Sequence, residues 1–287
     1  MTAAQLFYTP GGALRAPWRL AVFAVATFTS WVVAGALLAG PLAWLSARAG
    51  IQVSVEGWVG VAGLLGGHAI ALRSIDRQPW SAVWLGRDAA RPAAWVEGWG
   101  IGALAIGLPC AALLVAHELR MEAAPAGSWL ASAARVAWFL LPAALMEELL
   151  TRGYVLAVLR DAWGWRWALA ATSVGFGLLH LANAGATAES ITMVALAGVM
   201  LGAIVLATRS LYAAWMAHFA WNWVMAGVLH SAVSGFPMET PNYRMVDAGA
   251  GWLTGGAWGP EGGVAAAAGM MAGLTYLYAR RARREES

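Results

Sequence analysis

The sequence predicts an all-α fold, a polytopic integral membrane bundle of about eight transmembrane helices, and three observations lead there. Of the 287 residues 60% are hydrophobic and only 11% are charged, whereas soluble domains run at roughly 45–50% apolar and about 25% charged. The deficit of charge falls in long uninterrupted stretches instead of evenly along the chain. Those stretches have bilayer length, about 20 residues at a rise of about 1.5 Å each.

Taken in order, the candidate spans are approximately 18–40, 55–72, 93–116, 137–159, 166–182, 188–207, 211–230 and 262–279. The first follows Arg15 and Arg19 and ends in Ala36-Leu37-Leu38-Ala39-Gly40, a pattern shared with signal peptides. Its apolar run exceeds the usual h-region of about 7–15 residues, so it reads as a span. The second and fifth are short or Gly-rich. The fourth contains Pro142, where a kink is expected. No internal repeat or second domain is visible: 1–287 reads as one membrane-embedded domain with its core at about 137–230, ending in an Arg-rich tail at 280–287.

All 18 basic residues are Arg, a bias that fits a GC-rich bacterial genome and places the protein in a bacterial inner membrane. If the N-terminus is cytoplasmic, the inside set is Arg15, Arg19, Arg73, Arg77, Arg87, Arg91, Arg160, Arg166, Arg209, Arg280, Arg281, Arg283 and Arg284. The outside set is only Arg48, Arg120, Arg135 and Arg244, with Arg152 inside a span. The positive-inside rule therefore predicts both termini in the cytoplasm, and an even number of spans agrees. The connection at about 231–261 lies outside on this topology, with Trp252 and Trp258 expected at headgroup level.

A net charge of +3 is too small and too scattered for nucleic-acid binding, which needs a clustered basic stripe. The single Cys110 excludes a disulfide framework and a Cys-rich metal site. It reads as a small buried hydrophobe.

Ionisable groups inside spans are costly and usually mark a site. Here they concentrate in Glu147-Glu148-Leu149-Leu150-Thr151-Arg152, in Phe176-Gly177-Leu178-Leu179-His180, and in His218-Phe219-Ala220-Trp221-Asn222. Glu148 and Arg152 stand at i, i+4, the favourable order for a Glu/Arg pair, so Glu148 is expected to neutralise and orient Arg152. Adjacent helical residues point about 100° apart, which leaves Glu147 free to face a cavity as a general base. His218 and Asn222, also at i, i+4, form a polar pair on one helix face and are suited to hydrogen-bond the oxyanion formed when water attacks a peptide carbonyl. His180 is placed to hold that water opposite Glu147. By contrast His68, His117 and His230 lie near span ends, where their polar tips would reach water, and Asn183 reads as a helix C-cap.

These three patterns resemble the CPBP family of intramembrane proteases, which includes CAAX prenyl-protein proteases and relatives linked to bacteriocin processing and immunity. Glu147-Glu148 with Arg152 is similar to the family's Glu-Glu-x-x-x-Arg, Phe176 with His180 to its Phe-x-x-x-His, and His218 with Asn222 to its His-x-x-x-Asn. The resemblance implies a helical eight-span fold and peptide-bond hydrolysis of a membrane-associated protein or peptide at the bilayer. It further implies that Glu147 and His180 prepare water while His218 and Asn222 stabilise the oxyanion, with no cofactor. Two alternatives stand beside it: a zinc-dependent protease with Glu148, His180 and His218 as ligands, and a non-catalytic membrane protein of peptide-binding or immunity type, whose polar residues pin helix packing.

Overall fold

A computed structural model describes residues 3–49 and 54–285, without the side chains of Ala3, Ala4, Ala49 and residues 283–285. The end of the expected 280–287 tail thus lies outside the described residues. The chain runs as helices α1 (Ala3–Phe7), α2 (Ala16–Ala49), α3 (Val55–Ile70) and α4 (Pro92–Val115), then strand β1 (Leu119–Ala123). It continues through α5 (Trp129–Arg152), α6 (Tyr154–Trp163), α7 (Trp165–Leu179), α8 (Ala188–Thr208) and α9 (Leu211–Trp223). Strand β2 (Tyr243–Asp247), the short α10 (Gly251–Thr254) and α11 (Val264–Glu285) complete it.

Five stretches are long and apolar enough to cross a membrane: Ala16–Arg48, Val55–Asp76, Pro92–Val115, Trp129–Trp163 and Ala188–Thr208. The other three expected spans coincide with α7, α9 and α11. Of these, α7 has only 15 residues, α9 carries His218 and Asn222, and α11 runs into its arginines. The protein is a helical membrane bundle, and five is the number of described stretches that satisfy length and hydropathy together.

Glycines set how closely the helices approach. Gly98 and Gly102 stand one turn apart on α4, and a Cβ on them would run into the carbonyl oxygens of Ala213 and Ala217 on α9. Gly269 of α11 lies against the carbonyl of Ala105 in the same way. Small residues at such spacing let backbones touch, which is how apolar helices associate where lipid removes the hydrophobic drive. α4 thereby becomes the post against which α9 is seated. Glu97 and Arg280 tie α4 to α11 at 2.6 Å.

The helix geometry breaks in three informative places. α5 runs unbroken through Pro142, and the interruption comes at Gly153, where α6 begins. Beyond α3 the chain winds into a π turn at Ala71–Asp76, and beyond α9 into another at Val224–Val228. Such turns recur at functional sites, and the second one starts two residues after Asn222.

The connection between α9 and α11 folds onto the bundle. β2 pairs antiparallel with β1, Met245 opposite Met121. Trp252 is exposed at 59%, but Trp258 is buried at 3%, so only Trp252 suits the headgroup position expected of both. Two of the three histidines assigned to water also differ: His68 and His230 are buried, while His117 is exposed. The buried pair have backbone partners, Leu64 and Tyr154 for His68, and Tyr243 for His230.

Candidate active site

The last turns of α5 carry two neighbouring carboxylates that face different surroundings. Glu148 is fully buried, and its Oε1 accepts from Arg152 Nη1 at 3.1 Å and from His218 Nδ1 at 2.9 Å. Arg152, equally buried, also donates to Thr151 Oγ1 at 2.7 Å and to the Gly198 carbonyl at 3.3 Å. Its guanidinium lies 4.1 Å from the Phe176 ring centroid. A buried charge keeps its place only when paired and hydrogen-bonded, and Glu148 with Arg152 meets that condition while fixing His218.

Glu147 points elsewhere, with 30% of its side chain exposed. Its Oε2 lies 3.8 Å from His180 Nε2 and 3.8 Å from His218 Nε2, and it has no hydrogen-bond partner. His180, the C-cap of α7, turns its Nδ1 back to the Phe176 carbonyl at 2.9 Å. The edges of both imidazoles pack on the Phe176 ring, with centroids at 4.9 and 5.7 Å. Both Nδ1 atoms therefore serve as N–H donors to oxygen, which fixes the tautomers and leaves each Nε2 as an acceptor. Three acceptors, Glu147 Oε2 and the two Nε2 atoms, converge on one small gap. Such a gap calls for a molecule that brings hydrogens, and water is the simplest.

Beside this gap is a small pocket of about 20 Å³, lined by His180, His218 and Asn222 together with apolar side chains of α8 and Met270. Asn222 faces it one helical turn beyond His218, and its side chain makes no hydrogen bond among the described residues. The sequence patterns thus come together as follows: Glu147 meets both histidines, Glu148 joins Arg152 to His218, and Asn222 joins them through the pocket wall.

One wall residue escapes a reading of the sequence. Glu261, 7% exposed, accepts from Trp221 Nε1 at 2.8 Å, from the Ser234 N–H at 2.6 Å and from Ser234 Oγ at 2.7 Å. It clamps the chain after α9 to the residue preceding Asn222. Its one signal was an acid standing alone at the mouth of the Gly- and Ala-rich run that opens α11. Asn183 likewise reaches past its helix end to the Ser234 carbonyl at 3.0 Å, instead of capping α7, whose C-cap is His180.

The zinc set of Glu148, His180 and His218 does not share a centre. Glu148 touches His218 on the Nδ1 side, opposite the nitrogen that faces Glu147. Among the described residues no group of three His, Cys, Asp or Glu side chains is arranged to hold a metal ion.

Residues 129–224 match the family model described as type II CAAX prenyl endopeptidase Rce1-like. That stretch is similar to the Rce1-like domain over about a third of the chain. It runs from α5 to the end of α9 and contains all the patterned residues, Glu147 to Asn222. No curated protein and no solved structure gives a significant match. The Rce1-like domain, set in a bundle with several bilayer-length helices, supports a multi-pass membrane endopeptidase of CAAX type that acts on membrane-associated proteins. Ser234 and Glu261 lie beyond it, so the pocket is completed by chain outside the matched stretch.

Proposed function

We propose that the protein is a glutamate-dependent intramembrane endopeptidase in which Glu147 activates a water held between His180 and His218. The observation that carries this reading is the unpartnered Oε2 of Glu147, 3.8 Å from the Nε2 atoms of both histidines. A water there donates a hydrogen to the carboxylate and is oriented by the imidazoles. Its oxygen attacks the scissile carbonyl carbon as the proton passes to Glu147. The carbonyl oxygen becomes an oxyanion that accepts from the Asn222 amide, with His218, held by Glu148, orienting the attacking water on the other side. Glu147 then returns the proton to the departing amine as the C–N bond breaks. No cofactor enters these steps.

The substrate is a protein or peptide associated with the bilayer, and the Arg distribution supports both termini in the cytoplasm of a bacterial inner membrane. Profiling of new protein termini in membranes and medium tests the reading, comparing cells that make the native chain with cells that make Glu147→Gln at equal abundance. Termini that vanish in the variant support proteolysis and name the bonds cut. Unchanged profiles where the protein has a phenotype would instead favour a peptide-binding role.

A further inference from the structure

A second, larger cavity of about 720 Å³ lies away from the patterned residues. Its walls come from the turn before α2, the first turn of α2, the π turn after α3 and the first two turns of α6. These are the places where apolar stretches begin or end: Arg19 sits at the entry of the first span and Arg160 near the end of the Trp129–Trp163 stretch. The cavity therefore lies at headgroup depth, on the face with most of the arginines.

The lining carries both signs of charge. Arg19, Arg77 and Arg160 face Asp76 and Asp161 around it. Arg19 holds Asp76 at 2.7 Å and Asp161 at 3.5 Å, and Arg160 holds Asp161 at 2.8 Å. Two arginines keep unanswered side-chain donors. The Arg77 side chain makes no hydrogen bond or ion pair among the described residues, and its backbone is left-handed at φ 53°. Non-Gly residues held in that region recur at ligand clamps. The buried Arg19 Nε also lacks an acceptor, with the Arg19 guanidinium 5.7 Å from the Tyr154 ring. Buried donors without acceptors in a native structure require an explanation, and a bound oxygen-rich group supplies one.

The signs narrow the occupant. An anion alone would meet two carboxylates, and a cation alone would meet three guanidiniums. A zwitterion whose phosphate faces the arginines and whose ammonium faces the aspartates answers both, because guanidinium matches phosphate oxygens in geometry as well as charge. A cavity at headgroup depth, beside an α2 whose apolar stretch is only 17% buried by protein, is reached from the bilayer. We propose that this cavity binds the phosphoethanolamine headgroup of a membrane phospholipid. Its primary ammonium donates to Asp161 and Asp76, a contact that the methylated ammonium of choline cannot make. The inference stands independently of the proteolytic reading.

Native mass spectrometry of the delipidated full chain tests it, with phosphatidylethanolamine, phosphatidylcholine and phosphatidylglycerol of matched acyl chains titrated in turn. Retention of phosphatidylethanolamine at a concentration at least about tenfold below the other two is expected. Arg77→Asn keeps a residue that tolerates left-handed backbone, and Asp161→Asn removes a half-exposed carboxylate. Each should abolish the preference, whereas Arg120→Gln in β1 should keep it. Equal retention of all three lipids, tighter phosphatidylglycerol, or a preference surviving both cavity variants would overturn the proposal. Glycerophosphoethanolamine, added as a competitor, separates the two sources of this chemistry. Displacement of the lipid only at great excess supports the bilayer source, and displacement at equal concentration overturns it in favour of a soluble phosphoester.

Discussion

His68 Nε2 accepts the backbone N–H of Tyr154 at 3.0 Å, while His68 Nδ1 donates to the Leu64 carbonyl at 2.8 Å. A histidine from α3 thus caps the helix that starts immediately after the turns bearing Glu147, Glu148 and Arg152. Removing it leaves a buried N–H orphaned, at a cost of about 1–3 kcal/mol. His68→Ala should lower thermal stability by that amount, and His68→Gln, which retains an acceptor, should recover part of it. A melting temperature unchanged in both would show that the cap contributes nothing.

The same junction constrains Gly153. A Cβ there would collide with His68 Nε2 and the Leu149 carbonyl, so Gly153→Ala should destabilise the chain by about 1–3 kcal/mol. Combining it with His68→Ala should cost less than the sum of the two, since one change makes room for the other. Strict additivity in denaturation of the four proteins would contradict the contact.

Among the described residues Glu148 is the one carboxylate ion-paired with the buried Arg152, and Arg152 cannot be left alone there. Glu148→Ala should cost about 3–5 kcal/mol, the usual penalty for stranding one half of a buried pair. Glu147→Gln, which strands nothing, should melt like the native chain. Equal melting of the two variants would place the structural burden on the wrong carboxylate.

Glu261 should matter to turnover more than its distance in sequence from the motifs suggests. Glu261→Ala frees Trp221 Nε1 and both donors of Ser234, letting the wall beside Asn222 shift. Misplacement on the scale of 1 Å can cost up to about a hundredfold in rate, so cleavage at Glu147-dependent bonds should fall roughly ten- to a hundredfold. The loss should lie in turnover, with a smaller change in stability. Full activity in Glu261→Ala would detach the clamp from the chemistry.

Chelation addresses the zinc alternative. On the proposed mechanism, dialysis against a strong chelator leaves cleavage by the purified protein intact. Loss of cleavage on chelation, restored by zinc, would overturn the carboxylate mechanism.

Much of the helical layout was legible because each apolar stretch declares itself locally, and the i, i+4 spacings placed Glu148 on Arg152 and aligned His218 with Asn222. What sequence spacing does not encode is contact across the chain. The bond from Glu148 to His218 depends on how α9 seats against α4 at Gly98 and Gly102. The burial of His68 depends on a helix end more than eighty residues later. The position of Glu261 is set by a loop rich in Gly, without periodicity to read. Pro142 looked like the breaking point, yet the helix parts at Gly153, where close approach of His68 leaves no room for a side chain.

The side chains proposed to carry hydrolysis and the Glu261 clamp beside them ride on separate stretches of chain, one inside 129–224 and the other beyond it. Their histories need not run together. A descendant can keep every letter from Glu147 to Asn222 and still admit a different guest by rewriting the segment between α9 and α11, so likeness in the matched stretch speaks for the reaction and leaves the choice of substrate to be read elsewhere.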